Sequence, residues 1–276
     1  MSDQNISVFR QRLASLRELL DQNDLDALII SHDDEYLSYE LNEDEERLKY
    51  ITGFTGSAGY AVITRDDLDI NDKSIEISLD NTEYGIPVDR DCAVFVDGRY
   101  VVQVKEQIDS DIFQDFDLAK IKPSKWLSSV MPKNSTVGID INCVSYKEYL
   151  SIKNELGMNN INLVATESNL VDKIWTDRPD PVISEISIFP DEYNGCPSPQ
   201  KRQLIAQTLR DKDLDATVIC DPESICWLLN IRGRDRAYLP VINCKMVAYS
   251  NEALEWYINP NHFKDENLRD QLQEHI

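Results

Sequence analysis

One short pattern occurs twice in this chain and limits the folds open to it. Asp24-Leu25-Asp26-Ala27-Leu28-Ile29-Ile30 returns as Asp213-Leu214-Asp215-Ala216-Thr217-Val218-Ile219, 189 residues later. Each copy passes from an aspartate-rich turn into an apolar run that reads as a buried strand. Upstream of the first copy, Ile6, Phe9, Leu13, Leu16 and Leu20 recur at steps of three and four, the spacing of one helix face. Upstream of the second, Ser198-Pro199 is a cap followed by proline at the first helical position, which predicts a helix to about Asp211. Farther on, Asn230-Ile231-Arg232-Gly233 falls where Tyr50-Ile51-Thr52-Gly53 fell, at an offset of 180. A unit of helix, turn, strand, helix and glycine turn therefore repeats, and predicts two similar α/β domains.

Between the copies the pattern keeps alternating. Ile51 to Phe54 and Tyr60 to Thr64 read as strand pieces around a glycine turn. Ala93 to Val96 is a strand stopped by Asp97-Gly98, and Tyr100 to Val104 begins a helix. A short helix over Trp126–Met131 follows Pro123, and Val137 to Ile141 is a strand. Ser145-Tyr146-Lys147-Glu148 is a capping box opening a helix that Gly157 closes, before a strand over Ile161–Ala165. The stretch from Asn169 to Pro199 then holds five prolines, which predicts an extended linker. The expected organisation is a first domain over 1–170, a linker over 171–198 and a second domain over 199–276.

Composition removes several classes of function. Fifty acidic and 28 basic residues leave a net charge of −22, which disfavours nucleic-acid backbones and anionic membrane surfaces. No apolar run reaches the ~18–20 residues of a membrane span, and the N-terminus lacks the apolar stretch of a signal peptide. Six cysteines form no C-x-x-C pair, so they read as reduced structural thiols of a cytoplasmic protein. Cys220 and Cys226, in apolar runs, are expected to be buried. Three histidines are few for a hydrolase, and none stands in H-E-x-x-H. Thr55 stands where a G-x-S-x-G elbow around Ser57 needs its first glycine. Gly53, Gly56 and Gly59 read as a turn rather than a ligand cradle. Asp33 to Glu46 carries eight acids and no base, and Arg65 to Asp91 is also acid-rich. Both read as solvated loops, with a cation- or basic-peptide-binding surface as the alternative. The D-x-[DN]-x-[DN]-G spacing of a calcium loop is absent.

Four motifs occur in order: Gly53-Phe54-Thr55-Gly56-Ser57-Ala58-Gly59; Val96-Asp97-Gly98-Arg99-Tyr100; Asn169-Leu170-Val171-Asp172-Lys173-Ile174-Trp175 with Arg178-Pro179; and Trp227-Leu228-Leu229-Asn230-Ile231-Arg232-Gly233. Together they resemble the N-terminal half of the three-domain Xaa-Pro aminopeptidases (aminopeptidase P) of the creatinase/prolidase superfamily. The resemblance implies an α/β fold of two tandem creatinase-like domains, each a ribonuclease H-like mixed sheet flanked by helices, the second cut short at Ile276. It also implies a following metallohydrolase domain, in which two divalent metals, commonly manganese, are held by two Asp, one His and two Glu. That domain removes an N-terminal residue when proline follows it, and the full-length enzyme is expected to be a homodimer. The 28 residues between Thr64 and Ala93, where the family has a short turn, depart from the pattern.

On this reading the chain holds no catalytic residue, no metal ligand and no cofactor of its own. Its expected contribution is the wall and entrance of a peptide channel. Arg232 and Asp235 beside the glycine turn, Arg99 after Asp97-Gly98, Tyr36 and Arg47 are the candidate channel residues. The plainer role for Arg232 and Asp235 is an ion pair that holds the turn. Trp175 and Trp227 read as core or domain-interface packing. The alternatives for the whole chain are a free-standing peptide- or cation-binding module and a degenerate homologue used for assembly.

Overall fold

The N-terminal stripe winds into one helix, α1 (Asp3–Gln22), whose Leu13, Leu16 and Leu20 are buried along one face. The chain reverses through Asp24, in the left-handed region at φ 53°, and enters β1 (Ala27–Ser31). The computed structural model describes residues 3–66, 69, 73–79, 82–265 and 267–276. They form two compact units, Met1–Glu35 with Glu43–Pro179, and Tyr36–Asn42 with Asp180–Ile276.

In the first unit β1 is followed by α2 (Arg47–Thr52), β2 (Gly59–Thr64), the hairpin of β3 (Ser74–Leu79) and β4 (Thr82–Pro87), and β5 (Cys92–Val96). Then come α3 (Gln103–Gln107), β6 (Phe113–Asp117), α4 (Pro123–Val130), β7 (Thr136–Ile139), α5 (Tyr146–Met158), β8 (Asn162–Ala165) and α6 (Leu170–Ile174). Six strands make a mixed sheet in the order β6-β5-β2-β1-β7-β8. β1 runs antiparallel to β2, from Ala27 opposite Thr64 to Ser31 opposite Tyr60, and parallel to β7, with Ala27 opposite Val137. The two-residue period of the strand sends Leu28 and Ile30 into one core and Ala27 and Ile29 into another. The first core packs α1, α2 and α6; the second holds Trp126 and Leu127 of α4, Ile152 and Leu156 of α5, and Ile75 of the hairpin. Burial on both faces is why β1 reads as an unbroken apolar run.

Several local expectations change. Ile51 lies in α2, not in a strand. Leu48 and Ile51 are one helical step apart and share the first core, a spacing that a short apolar run does not separate from a strand. Gly53 ends that helix at φ 81°, and its N–H donates to the Lys49 carbonyl at 2.8 Å, so the glycine run is a turn. Half of the capping box forms: the Glu148 N–H donates to Ser145 Oγ, but the Glu148 carboxylate accepts from the Tyr60 hydroxyl at 2.5 Å. Of the acidic insertion, residues 67–68, 70–72 and 80–81 lie outside the described residues. The rest carries β3 and β4, with Ile75 fully buried, so it is no simple solvated loop. Asp34, Asp44 and Glu45 in the other acidic stretch are buried as well.

The second unit comprises β9 (Ser187–Ile188), α7 (Asp191–Asn194), α8 (Ser198–Asp211), β10 (Ala216–Ile219), α9 (Pro222–Leu229), β11 (Ile231–Arg232), β12 (Cys244–Tyr249), β13 (Leu254–Ile258) and α10 (Leu268–His275). Its sheet has three strands, β10-β12-β13, all antiparallel, beside a two-stranded ribbon of β9 and β11. One core gathers Ile225, Leu228 and Leu229 of α9 with Cys244 and Met246 of β12, Ile186, Ile242 and Leu272. The proline-rich stretch is not a spacer. Leu170 and Val171 are buried in the first unit's core and Ile186 in the second's, and the division falls after Pro179. The left-handed residue that ends α9 is Asn230, at φ 50°, so the structural counterpart of Gly53 is Asn230 rather than Gly233. Cys220 is exposed, against expectation, whereas Cys226 is buried, with its thiol pushed up to about 11, chiefly by burial. Among the described residues no helix is long and apolar enough to cross a membrane.

Candidate functional site

In the first unit, polar side chains collect at the carboxyl ends of the parallel strands β1 and β7, where α/β sheets place ligands. Ser31, Asp33, Arg47, Asp140, Cys143 and Asn169 line a crevice of about 10 Å³, room for about one water. The crevice is closed by its own hydrogen bonds. Ser31 Oγ donates to the Cys143 carbonyl at 2.7 Å, and Asn169 Nδ2 donates to Asp140 Oδ2 at 2.9 Å. Arg47 donates from Nε and Nη2 to the two oxygens of Asp172 at 2.7 and 2.9 Å. Burial works against its charge, but Asp172 outweighs it and holds the guanidinium above its ordinary value. Arg178 Nη1 donates to the same carboxylate at 2.7 Å, and its Nε donates to the Asp44 carbonyl at 2.7 Å. Trp175 stacks on Tyr50 with ring centroids 4.6 Å apart, and the Tyr50 hydroxyl donates to the Ile174 carbonyl. The Asp172–Arg178 motif is thus a clasp that fastens the last helix of the unit to α2.

Asp33 is the carboxyl of this crevice with a raised pKa. Burial, aided by the neighbouring Glu148 charge, pushes its carboxyl up to about 6, against the opposing effects of His32 and Ser31. Tyr60 is also pushed up, by burial and then by its hydrogen bond to Glu148. The Cys143 thiol, pushed up to about 12 mainly by burial, is no nucleophile there.

In the second unit the polar centre is Asp235, 1% exposed. Ser184 donates to Oδ1 from its N–H at 2.8 Å and from its hydroxyl at 2.7 Å, and the Asn243 N–H donates to Oδ2 at 2.7 Å. His262 places Nε2 3.4 Å from Oδ2 and Nδ1 2.7 Å from the Ser184 carbonyl. A Ser, a His and an Asp thus meet, but the serine hydroxyl bonds the aspartate instead of the histidine, so they form a structural pin and not a nucleophilic triad. Arg232 is not its ion partner. Its Nη1 donates to the Ile231 carbonyl at 2.7 Å, and its guanidinium lies over Phe189 at 4.5 Å. Next to Asp235, the buried Arg236 donates to Asn243 Oδ1 at 3.0 Å and to the Glu40 carbonyl at 3.1 Å, with Tyr36 5.7 Å beneath its guanidinium.

The fold therefore brings Tyr36 to the Asp235 centre, through Arg236, and leaves Arg47 and Arg99 elsewhere in the first unit. Arg99 is 61% exposed and donates to Asp97 from Nη2 at 2.6 Å. Trp175 is packed as expected, whereas Trp227 is half exposed, with Lys201 Nζ 4.3 Å from its ring. Sequence reasoning missed Asp33, Ser184, Arg236 and His262. Asp33 was hidden in an acidic run, and Ser184 and His262 lie 78 residues apart with no spacing signal.

Two family models, both described as Creatinase/Prolidase N-terminal domain, match this chain, one over residues 12–74 and 81–174 and the other over 177–276. The chain belongs to the creatinase/prolidase N-terminal domain family. The Xaa-Pro aminopeptidase ApepP of Drosophila melanogaster is 31% identical to it over 253 residues, 88% of this chain and 37% of that protein. Aminopeptidase P1 of Arabidopsis thaliana is 26% identical over 260 residues, 92% of this chain and 36% of that protein. The creatinase/prolidase N-terminal chain thus spans about a third of the length of these curated relatives. A crystal structure of an X-prolyl aminopeptidase from Caenorhabditis elegans, described as a cytosolic enzyme with a di-nuclear active site, superposes with a TM-score of 0.82. It is 24% identical and covers 97% of this chain and 41% of its own, which speaks for a shared fold.

A di-nuclear centre needs clustered carboxylate and imidazole donors. Among the described residues no three His, Cys, Asp or Glu side chains are grouped to hold a metal. The two carboxylates at the centres described above are committed elsewhere, the part-buried Asp172 to two arginines and the buried Asp235 to Ser184 and Asn243. The described residues do not fit such a centre, and no metal-dependent step is assigned to them.

Proposed function

We propose that this chain is the non-catalytic N-terminal part of a dinuclear-metal aminopeptidase that removes the residue preceding proline. The observation that carries the reading is the 31% identity to a protein named Xaa-Pro aminopeptidase, which runs through 88% of the chain. The engagement of Asp172 by two arginines and of Asp235 by Ser184 and Asn243 supports it. In this reading two divalent metals, manganese in the first instance, belong to a further domain, and the whole enzyme is a cytoplasmic homodimer acting on peptides with proline second.

The two units here then shape the wall and entrance of the peptide channel. Arg99, exposed on its turn, is the candidate suited to meet a substrate carboxylate. Asp235 and Arg47, both tied to neighbours, are positioning residues for the loops around them. Tyr36 and Arg232 each hold one side of an arginine–aromatic contact and set the surface beside Asp235.

The test is hydrolysis of an X-Pro peptide with added Mn²⁺. The 276-residue chain is expected to be inactive and the longer gene product active. Robust turnover by the 276-residue chain overturns the proposal.

A further inference from the structure

The hairpin of β3 and β4 is finished differently on its two edges. β3 lies in the interruption of the first family match, between residues 74 and 81. The register sets Ser74 opposite Pro87 and Ile77 opposite Tyr84. One step before Ser74, the Val88 N–H donates to the Lys73 carbonyl at 3.0 Å, which fixes the phase of the ladder. Antiparallel pairs alternate between bonded and non-bonded. Ile75 and Ile77 therefore bond across to β4, and Glu76 and Ser78 turn their N–H and C=O groups away from it.

On the β4 side the edge is guarded. Pro87 has no N–H to offer, its carbonyl accepts from Gln114 Nε2 at 3.0 Å, and the Asp89 N–H donates to Gln114 Oε1 at 2.9 Å. On the β3 side, among the described residues, the outward backbone groups of Glu76 and Ser78 have no hydrogen-bond partner. That side borders a groove of about 370 Å³, lined by β3 and not by β4. Lys120, Lys122 and Lys125 line it too, from the turn between β6 and α4. The turn is fixed by Asp117, whose Oδ1 accepts from the Ala119 N–H at 3.0 Å and whose carbonyl accepts from Lys120 and Ile121 at 2.9 Å. Ile121 and Pro123 are buried, so Lys120 and Lys122 point outward on either side of Ile121, and Lys125 follows one helical step after Lys122.

Lys120 lies 3.8 Å from Asp117, but among the described residues Lys122 and Lys125 have no ion-pair partner, in a chain with 50 acidic residues to 28 basic. The carboxylates of the groove are already engaged. Glu155 accepts from the Ser124 hydroxyl at 2.6 Å and Glu76 from the Ser74 hydroxyl at 3.3 Å. The apolar part of the lining is Ile77 and Leu118, both packed against the second core.

We propose that the free edge of β3 is a docking site for an extended acidic segment of another protein, which adds to the hairpin as a third strand. Its backbone bonds to Glu76 and Ser78, its carboxylates meet Lys122 and Lys125, and an apolar residue between them covers Ile77 and Leu118. A second copy of this chain is a poor occupant, because pairing β3 with β3 brings two sets of the same lysines together.

The test titrates the 276-residue chain at low salt into a fluorescent peptide of about ten alternating aspartates and valines, with a lysine–valine peptide as control. Anisotropy is expected to show saturable binding of the acidic peptide. Lys122→Glu with Lys125→Glu should weaken it at least about 10-fold, and added salt should weaken it as well. Ser78→Pro removes an outward N–H without touching the ladder, so it should weaken binding at least about 10-fold and leave the melting temperature unchanged. Residue-resolved hydrogen exchange should slow more at Glu76 and Ser78 than at Ile75 and Ile77 when the peptide is added. Equal binding of the two peptides, no saturation up to about 1 mM, or binding without that exchange pattern overturns the proposal. So does protection of Glu76 and Ser78 before any peptide is added. Protection that grows with protein concentration would make a second copy the occupant, and protection found only in the longer gene product would make that product's own chain the occupant.

Discussion

Leu25 and Leu214 hold the same place in the repeated turn, yet Leu25 is 3% exposed and Leu214 49%. Their backbones agree, so the difference lies in what the sheet has gathered around them. The first unit sandwiches β1 between two apolar cores and gives it strands on both sides. Among the described residues the second has one core and a three-stranded main sheet, on which Val218 and Tyr257 are exposed. What the second unit lacks in apolar layers it makes up in part with a polar pin: Asp235 ties Ser184, Asn243 and His262, which come from segments far apart in the chain. The lesson is that a local pattern sets a turn and a strand, and the surrounding topology decides what that strand buries.

The sharpest way to break the comparison is Asp235→Ala. It leaves two N–H groups and the Ser184 hydroxyl without their acceptor, next to the buried His262. It should cost the second unit about 3–5 kcal/mol while the first stays folded. Chemical denaturation read by segment-resolved hydrogen exchange would show it; equal loss in both units would mean the pin is not local. Next is the paired substitution at the repeat. Leu25→Ala should cost about 3 kcal/mol, because it opens a cavity against Gly138 and the first core. Leu214→Ala in the 276-residue chain should cost less than about 0.5 kcal/mol. Equal effects would dissolve the distinction between the two copies.

Asp33→Asn sharpens the contrast through pH. The folded carboxyl titrates at about 6, above its ordinary 3.8. Its ionised form is therefore penalised in the fold above pH 6, and the penalty disappears once both states are protonated below about 4. The variant should stabilise the first unit by about 2 kcal/mol at pH 7.5, a gain that shrinks as pH falls from 6 to 4. A thermal melt series across that range would find it, and a pH-independent gain would rule out this cause. The smallest effect is expected at Arg99. With its side chain 61% exposed and an ion pair to the nearby Asp97, Arg99→Ala should change stability by less than about 0.5 kcal/mol. If the longer enzyme carries the proposed channel, the same change should raise KM for X-Pro peptides.

Much of the fold was legible. The stripe through Leu13, Leu16 and Leu20, the Asp-Leu-Asp-Ala turns, and the runs at Ala93 and Val137 gave helix, turn and strand where the structure has them, because each is a local preference of backbone and side chain. The run at Ile51 failed because Ile51-Thr52-Gly53-Phe54 is too short for its apolar pattern to separate a helix end from a strand. The proline-rich stretch failed because its apolar residues show no period, yet some of them, Leu170, Val171 and Ile186 among them, find a core. Of the candidate site, Arg47 and Asp235 were named without their partners: Asp172 is 125 residues from Arg47, and His262 joins Asp235 only through the fold.

The amino-acid sequence by itself determined the duplicated unit, the turn geometry at Asp24 and Asp213, and membership of a family through motifs spread along the chain. Those properties depend on neighbours within a few residues or on identity in order. Tertiary structure alone decided which aspartates are buried, which arginines they hold, and why the Asp33 carboxyl is pushed up. Burial and charge pairing depend on residues brought together from distant segments, and no local pattern carries that information.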